Sequence, residues 1–416
     1  SLSLMSLKLR SKNDWGRLDM TYEWNHSTIN DVCVLVTDGS HSSPKSVNDG
    51  KYMVSVKDFT DYGFDFASCR MISNDDYETL KRNGCVPQID DILIGKDGAR
   101  FFEDIIIYRQ REKPALLSSI AILRCDKSKI LPDFLYYVLR TPSFRQDVKD
   151  NYGSGSAIPR IILKDFKRMM VSYPSLEKQQ AIISVLTAID SKIQANTEIN
   201  DNLYAQAKAI FDNHFINIDA IPAGWRKGNL LDIANYLNGL AMQKFRPQGR
   251  EIGLPVLKIK ELRQGSCDDS SELCSLSIKP EYIIHNGDVV FSWSGSLLVD
   301  IWCGGTCGLN QHLFKVTSDV YDKWFYYLWT AHHLARFIAI AADKATTMGH
   351  IKREELAKAE VLIPCEEDYT SFNSIMQPIF ELIISNRIES RKLAALRDEL
   401  LPKLMTGEID VSDVQL

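Results

Sequence analysis

Two stretches of the chain place apolar side chains at alternating intervals of four and three residues, which is the spacing of a coiled-coil seam. They cover residues 182–210 and 372–400 and follow Pro174 and Pro364. Neither contains a glycine, and Pro378 is the only proline inside them, so the second helix has one position for a kink. If each helix starts just after its proline, it spans about forty residues and is roughly 60 Å long.

Asparagine interrupts the apolar seam near the middle of each stretch, at Asn196 and Asn386. A polar residue at such a position fixes the register of a coiled coil at some cost in stability. Because a long helix must cover its apolar stripe, we predict that the two helices pair as an antiparallel coiled coil. The alternative is that each helix packs on its own neighbouring module. The predicted seam consists of Ile189, Ile193, Asn196, Leu203, Ile379, Ile383, Asn386 and Leu393.

The two helical stretches belong to an internal repeat. Residues 134–215 align without a gap on residues 324–405, at an offset of 190, so that Tyr136 matches Tyr326. Further upstream the repeat continues with loops of unequal length, and the run after Asp91 matches the run after Asp288. A period near half the chain implies two related modules with two binding surfaces. Duplication that serves stability alone is the other interpretation.

Short β-type runs separated by Gly, Asn, Asp and Ser occur in both modules, at residues 52–56, 92–94, 121–123, 289–293 and 313–316. The fold class that follows is α+β, with two related domains joined by two long antiparallel helices in a pseudo-twofold arrangement. The predicted boundaries are 1–174 for the first domain, 175–215 for the first helix, 216–364 for the second domain, and 365–416 for the second helix and tail.

Size and composition agree with this organisation. A chain of 416 residues that is 45 % hydrophobic can bury two cores. No apolar run approaches the eighteen or so residues of a membrane span, and no leader is evident, so we expect no membrane association. Nine irregularly spaced cysteines argue against a disulfide framework and favour the cytoplasm. The group Cys267, Cys274, Cys303 and Cys307 lacks the paired spacing usual for zinc, and we predict no metal site.

The net charge of −5 is distributed unevenly. It amounts to +2 over residues 1–180, −2 over 181–215, 0 over 216–365 and −5 over 366–416. The acidic excess therefore lies in the helical segments. The globular modules are free to carry local basic faces of the kind that contact phosphate, although neutral modules are common in any cytosol.

Motifs of catalysis are missing from the sequence. It contains no phosphate-binding Gly-x4-Gly-Lys-Ser/Thr loop and no His-Glu-x-x-His zinc motif. No two prolines are adjacent, which excludes the Asn/Asp-Pro-Pro-aromatic motif of amino-methyltransferases, and no Glu-x-Lys triplet of metal-dependent nucleases occurs. We predict that the chain alone is not an enzyme.

Polar loops with small residues stand out at 38–44, 153–156, 294–296 and 309–312. Asn and Gln can bond adenine bidentately, and Lys and Arg can bond guanine or phosphate. Taken one by one, these loops are equally compatible with ordinary surface turns, and loop histidines with solvated or capping groups.

Several motifs occur in a characteristic order. They are Asp38-Gly39-x-His41-x-x-Pro44, the Gly-Asp-Val-Val run at Gly287, Gly304-Gly305 followed by Leu309-Asn310-Gln311-His312, the opening Pro174-x-x-Glu177-x-Gln179, and the ending Leu396-Arg397-Asp398-x-Leu400-Leu401-Pro402-Lys403-Leu404. In this order, doubled along nearly the whole chain, they resemble specificity subunits of type I restriction-modification systems.

The resemblance implies two target recognition domains, each reading one half of a split sequence in double-stranded DNA, with the helices as conserved spacers. It further implies that two methyltransferase subunits dock on this chain and that restriction subunits join them. S-adenosylmethionine, ATP and magnesium are expected in those partner subunits, and no cofactor is expected in this chain.

The sequence departs from the family pattern in two places. The first module has Leu117-Ser118-Ser119 where we align Leu309-Asn310-Gln311 of the second. The second helix opens with Pro364-Cys365-Glu366-Glu367-Asp368, so the motif does not define where it starts.

The function predicted is that of a DNA sequence-specificity subunit. Two other hypotheses stay open: an adaptor that holds two protein partners without reading DNA, and a self-sufficient nuclease or methyltransferase, which lacks the expected motifs. Lys and Arg among the candidate DNA contacts would mainly hold phosphates, and the others would read bases. The candidates are His41, Lys45, Lys57, Lys96, Arg100, Ser154, Arg160, Lys258, Lys260, Ser294, Ser296, Asn310, Gln311, His312 and His350.

Overall fold

The computed structural model describes residues 23–98, 100–153, 159–343, 351–409 and 411. They form two compact units. The described residues up to Ile189, together with those from Ala395 onward, make up the first unit, and Asp190–Ala394 make up the second. No helix in the described part of the chain combines the length and apolarity needed to cross a bilayer.

The strands of the first unit are β1 (Asn25–Thr28), β2 (Cys33–Asp38), β3 (Lys51–Val54), β4 (Phe59–Thr60), β5 (Gly63–Phe64), β6 (Arg70–Ile72), β7 (Ile92–Gly95), β8 (Ile105–Ile107), β9 (Ala115–Leu116), β10 (Ile120–Cys125) and β11 (Met170–Tyr173). The unit is built on a four-stranded antiparallel sheet in the order β2-β10-β7-β8. It also contains the mixed sheet β6-β3-β9 and the antiparallel pairs β1-β11 and β4-β5. The helices are α1 (Ile29–Val32), α2 (Asn74–Arg82), α3 (Pro132–Arg140), α4 (Pro142–Asn151), α5 (Leu163–Arg168) and α6 (Leu176–Phe211), of which α6 continues into the second unit.

The strands of the second unit are β12 (Arg226–Asn229), β13 (Asn235–Asn238), β14 (Leu254–Leu257), β15 (Leu273–Cys274), β16 (Ile283–Ile284), β17 (Val289–Ser292), β18 (Leu298–Ile301), β19 (Cys307–Leu309), β20 (Leu313–Thr317) and β21 (Glu360–Ile363). The unit has a four-stranded antiparallel sheet in the order β13-β20-β17-β18, a mixed sheet β15-β14-β19-β16 and the pair β12-β21. Its helices are α7 (Leu230–Ile233), α8 (Ile259–Gln264), α9 (Lys323–His332), α10 (Leu334–Asp343), α11 (Arg353–Ala357) and α12 (Glu366–Met405), of which α12 ends in the first unit.

The two units share one topology. The sheet β2-β10-β7-β8 corresponds to β13-β20-β17-β18, and the pair β1-β11 corresponds to β12-β21. Each mixed sheet contains one parallel pair, β3 with β9 and β14 with β19. The prediction of an α+β chain with two related domains is confirmed.

A cluster of aromatic rings fills the main core of the second unit and holds the beginning of α12. Phe215 stacks among the rings of Trp225, Trp324 and Phe372 at centroid distances of 5.1–6.2 Å. The indole nitrogen of Trp225 donates to Asp368 at 2.7 Å, and that of Trp324 donates to Asn373 Oδ1 at 2.7 Å. Large rings with a satisfied N–H combine apolar burial with directional contacts, so the first turns of the helix are fixed in orientation.

The two long helices begin at equivalent places. Helix α6 starts two residues after Pro174 and is 36 residues long, and α12 starts two residues after Pro364 and is 40 residues long. The helical conformation continues through Pro378, which is exposed and donates no backbone hydrogen bond. The predicted lengths and starts are therefore confirmed for both helices.

Within the second unit, α6 and α12 pair through buried amides. Asn196 is 1 % exposed, and its Nδ2 donates to Glu389 Oε2 at 2.8 Å and to Ser390 Oγ at 3.2 Å. One turn further along α6, Asn200 exchanges hydrogen bonds with α12, donating to the Ile383 carbonyl at 3.2 Å and accepting from Asn386 Nδ2 at 3.0 Å. Partner numbers fall on α12 as they rise on α6, so the pairing is antiparallel, as predicted.

The hydrogen-bonded polar group in the seam includes more residues than Asn196 and Asn386, the two asparagines predicted near its middle. The Nδ2 atom of Asn196 lies 3.4 Å from the backbone carbonyl of Asn386, whereas the side chain of Asn386 pairs with Asn200. The predicted apolar seam residues are buried or half-buried, each within its own unit: Ile189, Ile193, Leu203, Ile379, Ile383 and Leu393.

Each repeat also pairs the aspartate that precedes a central strand with a cation, and in the first unit that aspartate is buried. Asp91 has no exposed surface, and both of its carboxylate oxygens accept from Arg124 at 2.8 Å. In the second unit Asp288 pairs with Lys315 at 2.9 Å. A buried carboxylate is tolerated only with such partners, because its desolvation is costly.

We predict that Asn196→Asp lowers the free energy of unfolding by about 3 kcal/mol at pH 7.5, because a buried carboxylate would face Glu389, and the half-exposed Lys192 that pairs with Glu389 cannot neutralise both. The matched control is Asn202→Asp on the exposed face of the same helix. Urea unfolding followed by circular dichroism provides the measurement. Equal stabilities of the two variants would contradict burial of Asn196 in a helix pair.

We also predict that Arg124→Met costs about 3–5 kcal/mol of unfolding free energy, since it leaves the Asp91 carboxylate buried without its ion pair. Lys127→Met is the control, because Lys127 is 60 % exposed and pairs with the partly exposed Asp90. The same unfolding measurement applies. A loss below about 1 kcal/mol, the range of surface ion pairs, would refute the assigned role.

Candidate nucleic-acid interface

Two loops meet at one end of the antiparallel sheet in the second unit. The segment Trp293-Ser294 follows β17, and Asn310-Gln311-His312 lies between β19 and β20. The backbone amide of Trp293 donates to the carbonyl of His312 at 3.4 Å, which extends the strand pairing into the loops. The sheet therefore presents these side chains from a fixed backbone.

Side-chain hydrogen bonds connect the two loops. The His312 ring lies 3.0 Å from Ser294 Oγ through Nδ1 and 3.3 Å from Gln311 Nε2 through Nε2. With the Gln311 amide nitrogen as donor, Nε2 accepts and Nδ1 carries the hydrogen that is donated to Ser294. The indole nitrogen of Trp293 donates to Asn238 Oδ1 at 2.9 Å. Gln311 and His312 stay half-buried, whereas Ser294 is buried.

Asn310 has a different position from its two neighbours in the motif. Its side chain is 6 % exposed, and Oδ1 accepts from the backbone amide of His312 at 3.3 Å. This contact makes Asn310 the residue that shapes the turn, while Gln311 and His312 carry the accessible polar groups.

The predicted alignment of the two motif loops is wrong by one position. The amide of Ser40 donates to the Leu116 carbonyl, and the amide of Leu240 donates to the Leu309 carbonyl. Leu116 is therefore the counterpart of Leu309, and Asn310-Gln311-His312 corresponds to Leu117-Ser118-Ser119. Sequence matching missed this because leucine occupies both 116 and 117.

Glycine is required beside this loop in both units. A Cβ atom on Gly39 would lie 2.3 Å from the Leu116 carbonyl oxygen, and one on Gly239 would lie 2.2 Å from the Asn310 carbonyl oxygen. Only glycine lets two backbone segments approach this closely. The dipeptides Asp38-Gly39 and Asn238-Gly239, each at the end of a strand, mark this site in the sequence of both modules.

The first unit places an ion pair where the second has an indole. The carbonyls of Lys96 and Trp293 accept from Ile161 and Ile351 respectively, so the two residues occupy equivalent backbone positions. The Lys96 side chain is 7 % exposed, and its Nζ lies 3.3 Å from Asp38 Oδ2. The structure thus places Lys96 in a buried ion pair rather than on the surface.

Other candidate residues of the first unit lie on the surface. His41 is 76 % exposed, with its Nε2 at 3.3 Å from Asp38 Oδ1. Arg100 is 73 % exposed and pairs with Asp104 at 2.7 Å. The remaining exposed candidates are Lys45, Lys57 and Arg160.

In the second unit the candidate lysines carry acidic partners. Lys258 pairs with Glu272, and its hydrogen bond lowers the pKa of that carboxyl below the ordinary value. Lys260 donates to Ser270 Oγ at 2.8 Å and lies 3.5 Å from Asp268. Ser296 is exposed. The contacts of Lys258 and Lys260 are therefore with Glu272, Asp268 and Ser270, not with the Gln311-His312 loop. Ser154 and His350 lie outside the described residues.

The cysteine group that suggested zinc does not form a ligand set. Among the residues that the structure describes, no three His, Cys, Asp or Glu side chains are grouped as metal ligands. Cys274, Cys303 and Cys307 are buried. Burial raises the pKa of the Cys274 and Cys303 thiols, which keeps them protonated.

Comparison with known proteins gives consistent results. A family model described as "Type I restriction modification DNA specificity domain" matches residues 22–205. The chain is 28 % identical over 313 residues to the type I restriction enzyme MjaIX specificity subunit of Methanocaldococcus jannaschii, covering 69 % of this chain and 71 % of that protein. It is 19 % identical over 368 residues to the HindI specificity subunit of Haemophilus influenzae, covering 69 % and 80 %.

A solved structure shares the fold. The type I restriction-modification S subunit from M. genitalium aligns over 94 % of this chain and 98 % of its own, with a TM-score of 0.52 and 15 % identity. The duplicated topology, the paired helices and these relatives agree with one another. Residues 22–205 match the type I restriction modification DNA specificity domain, and the chain is similar in sequence and fold to type I restriction-modification specificity subunits.

Proposed function

We propose that this chain is the DNA sequence-specificity subunit of a type I restriction-modification complex, and that each recognition domain reads one half of a bipartite target in double-stranded DNA. The observation that carries the proposal is that equivalent backbone positions bear different side chains in the two units. Lys96 occupies the backbone position that Trp293 has in the second unit. Likewise, Leu117-Ser118-Ser119 occupies the position of Asn310-Gln311-His312. A constant backbone with variable polar groups suits the recognition of two different half-sites.

Base contacts are assigned to the accessible polar groups at the sheet ends. In the second unit Gln311 and His312 are the main readers, supported by Ser294 and by the turn-forming Asn310, with Ser296 beside them. In the first unit base reading is assigned to the exposed His41, which follows Gly39 in the neighbouring loop. Glutamine can bond an adenine edge through donor and acceptor together, which gives discrimination worth about 1–3 kcal/mol per pair.

Phosphate contacts are assigned to exposed cations, because most protein–DNA hydrogen bonds go to the backbone and fix the position of the protein. In the first unit these are Lys45, Lys57, Arg100 and Arg160. In the second unit Lys258 and Lys260 would exchange carboxylate partners for phosphate. Lys96 would act indirectly, through its ion pair with Asp38.

The helices are proposed as spacers and as docking sites for methyltransferase subunits. The domain boundaries proposed are 1–174 and 216–364 for recognition, and 175–215 and 365–416 for the spacers. Two methyltransferase subunits, and restriction subunits in the full complex, would supply catalysis with S-adenosylmethionine, ATP and magnesium, in the cytoplasm. The curated relatives are named specificity subunits of restriction enzymes, which supports this division of labour.

An adaptor that never contacts DNA is the competing function, and the acidic helical segments would suit it. A gel-shift assay at moderate salt, with the purified methyltransferase present, separates the two. We expect a complex that unlabelled target DNA competes away and scrambled DNA does not. Complexes of equal strength on all sequences, or none, would favour the adaptor.

We predict that lengthening the spacers changes the unread centre of the target. Seven residues, two helical turns, are inserted after Ile189 in α6 and before Ala395 in α12, at the division between the compact units. The insertion adds about 10 Å of helix, or roughly three base pairs at 3.4 Å each. Methylation mapping should show both half-sites unchanged and a longer gap.

The control inserts the seven residues in α6 alone, which mismatches the paired helices and should abolish selective binding. If the doubly lengthened chain methylates the original target with an unchanged gap, the helices do not set the spacing.

We further predict that Arg160→Ala weakens binding to all sequences similarly and reduces the salt slope of the binding constant by about one ion. Gln311→Ala should instead relax selectivity in one half-site, by about 1–3 kcal/mol, and leave the slope unchanged. Lys81→Ala, on α2 with Glu78 as its partner, is the control for charge alone. Fluorescence anisotropy over a salt series gives the values. A slope change in Gln311→Ala but not in Arg160→Ala would reverse the assignment.

A further inference from the structure

A polar recess in the first unit is separate from the loops described above. It has a volume of about 260 Å³ and lies between the α3–α4 corner and the last turns of α12. Its charged lining residues are Arg140, Arg145, Arg397 and Asp398. Two of them belong to the motif Leu396-Arg397-Asp398 in α12, to whose charged side chains the proposed function assigns no individual role.

The corner between α3 and α4 brings two arginines together. Thr141 ends α3 and caps α4, since its Oγ1 accepts from the amide of Phe144 at 3.3 Å. The Arg140 guanidinium lies over the Tyr136 ring, 4.9 Å from its centroid, and also bonds the hydroxyl of that tyrosine. Arg145 donates through Nη2 to the Glu103 carbonyl at 3.2 Å. Both guanidinium groups are therefore held at the recess by neutral partners.

Positive charge exceeds negative charge among the lining residues. Asp398 is the only carboxylate among the residues that line the recess, and Arg397 bonds its Oδ1 through Nε and Nη2 at 3.0 and 2.9 Å. The buried Nε atom of Arg145 has no hydrogen-bond partner. Burial, and then the neighbouring charge of Arg140, lower the pKa of Arg145, and the carboxylates of Glu103 and Asp104 only partly oppose this shift. Desolvated cations that repel each other are costly unless an anion joins them.

We propose that this recess binds a phosphate group, either inorganic phosphate or the terminal phosphate of a small molecule. Planar guanidinium groups recognise oxyanions through parallel N–H donors. The two guanidinium groups that are not bonded to Asp398, those of Arg140 and Arg145, match the several oxygens and the higher charge of a phosphate better than the two oxygens of a carboxylate. The recess is smaller than the roughly 300 Å³ at which sites for drug-sized molecules begin, which suits a small oxyanion. The inference is independent of DNA reading by the sheet ends.

The test is a thermal-shift and calorimetric titration of the full chain with phosphate and pyrophosphate at constant ionic strength. Chloride and acetate are the comparison anions. We expect saturable binding of phosphate or pyrophosphate and at least tenfold weaker binding in Arg140→Gln and in Arg145→Gln. Arg168→Gln is the matched control, because Arg168 lies over the Tyr152 ring at 5.0 Å in the same unit and does not line the recess. This variant should bind phosphate as strongly as the unaltered chain.

Asp398→Asn gives a change in the opposite direction. It removes the only lining carboxylate and should strengthen phosphate binding severalfold, a gain that misfolding cannot produce. The proposal is overturned if phosphate does not bind saturably, if acetate binds as well, or if both arginine variants retain the affinity. It is also overturned if only duplex DNA, and no free phosphate, responds to the arginine variants.

Discussion

The pairing of α6 with α12 through buried amides is the constraint on which the proposed function depends. An apolar heptad seam can slide by whole heptads with little loss of burial, but the asparagines cannot. Asn196, Asn200 and Asn386 would each face apolar side chains after a slip, and their hydrogen bonds to the opposite helix would be lost. A fixed register in the second unit makes the helix pair suitable as a spacer.

The two units combine a constant backbone with variable side chains. Gly39 and Gly239 permit the same close backbone approach, and Asp91 and Asp288 are each neutralised by a cation on the neighbouring strand. On this shared frame, Lys96 in its ion pair with Asp38 replaces Trp293 bonded to Asn238. Duplication followed by divergence at the sheet end yields two different polar surfaces from a single topology, which is what a split recognition sequence requires.

Much of this architecture could be predicted from the sequence because the strongest signals are local. Heptad spacing after Pro174 and Pro364 predicted both helices, and the β-type runs predicted the central strands. Contacts between distant residues could not be read in the same way. Residue type and spacing do not encode tertiary packing. Three features depend on it: the burial of Lys96 against Asp38, the role of Asn310 in the turn, and the position of Arg140 and Arg397 around one recess.

Mapping of methylated adenines tests the central claim most directly. The chain is expressed with its methyltransferase in a host that lacks other adenine methylation, and the genome is sequenced for modified bases. The account predicts one bipartite motif, with two defined half-sites separated by a gap of constant length and arbitrary sequence. A contiguous motif, a gap of variable length, or methylation without any shared sequence would contradict it.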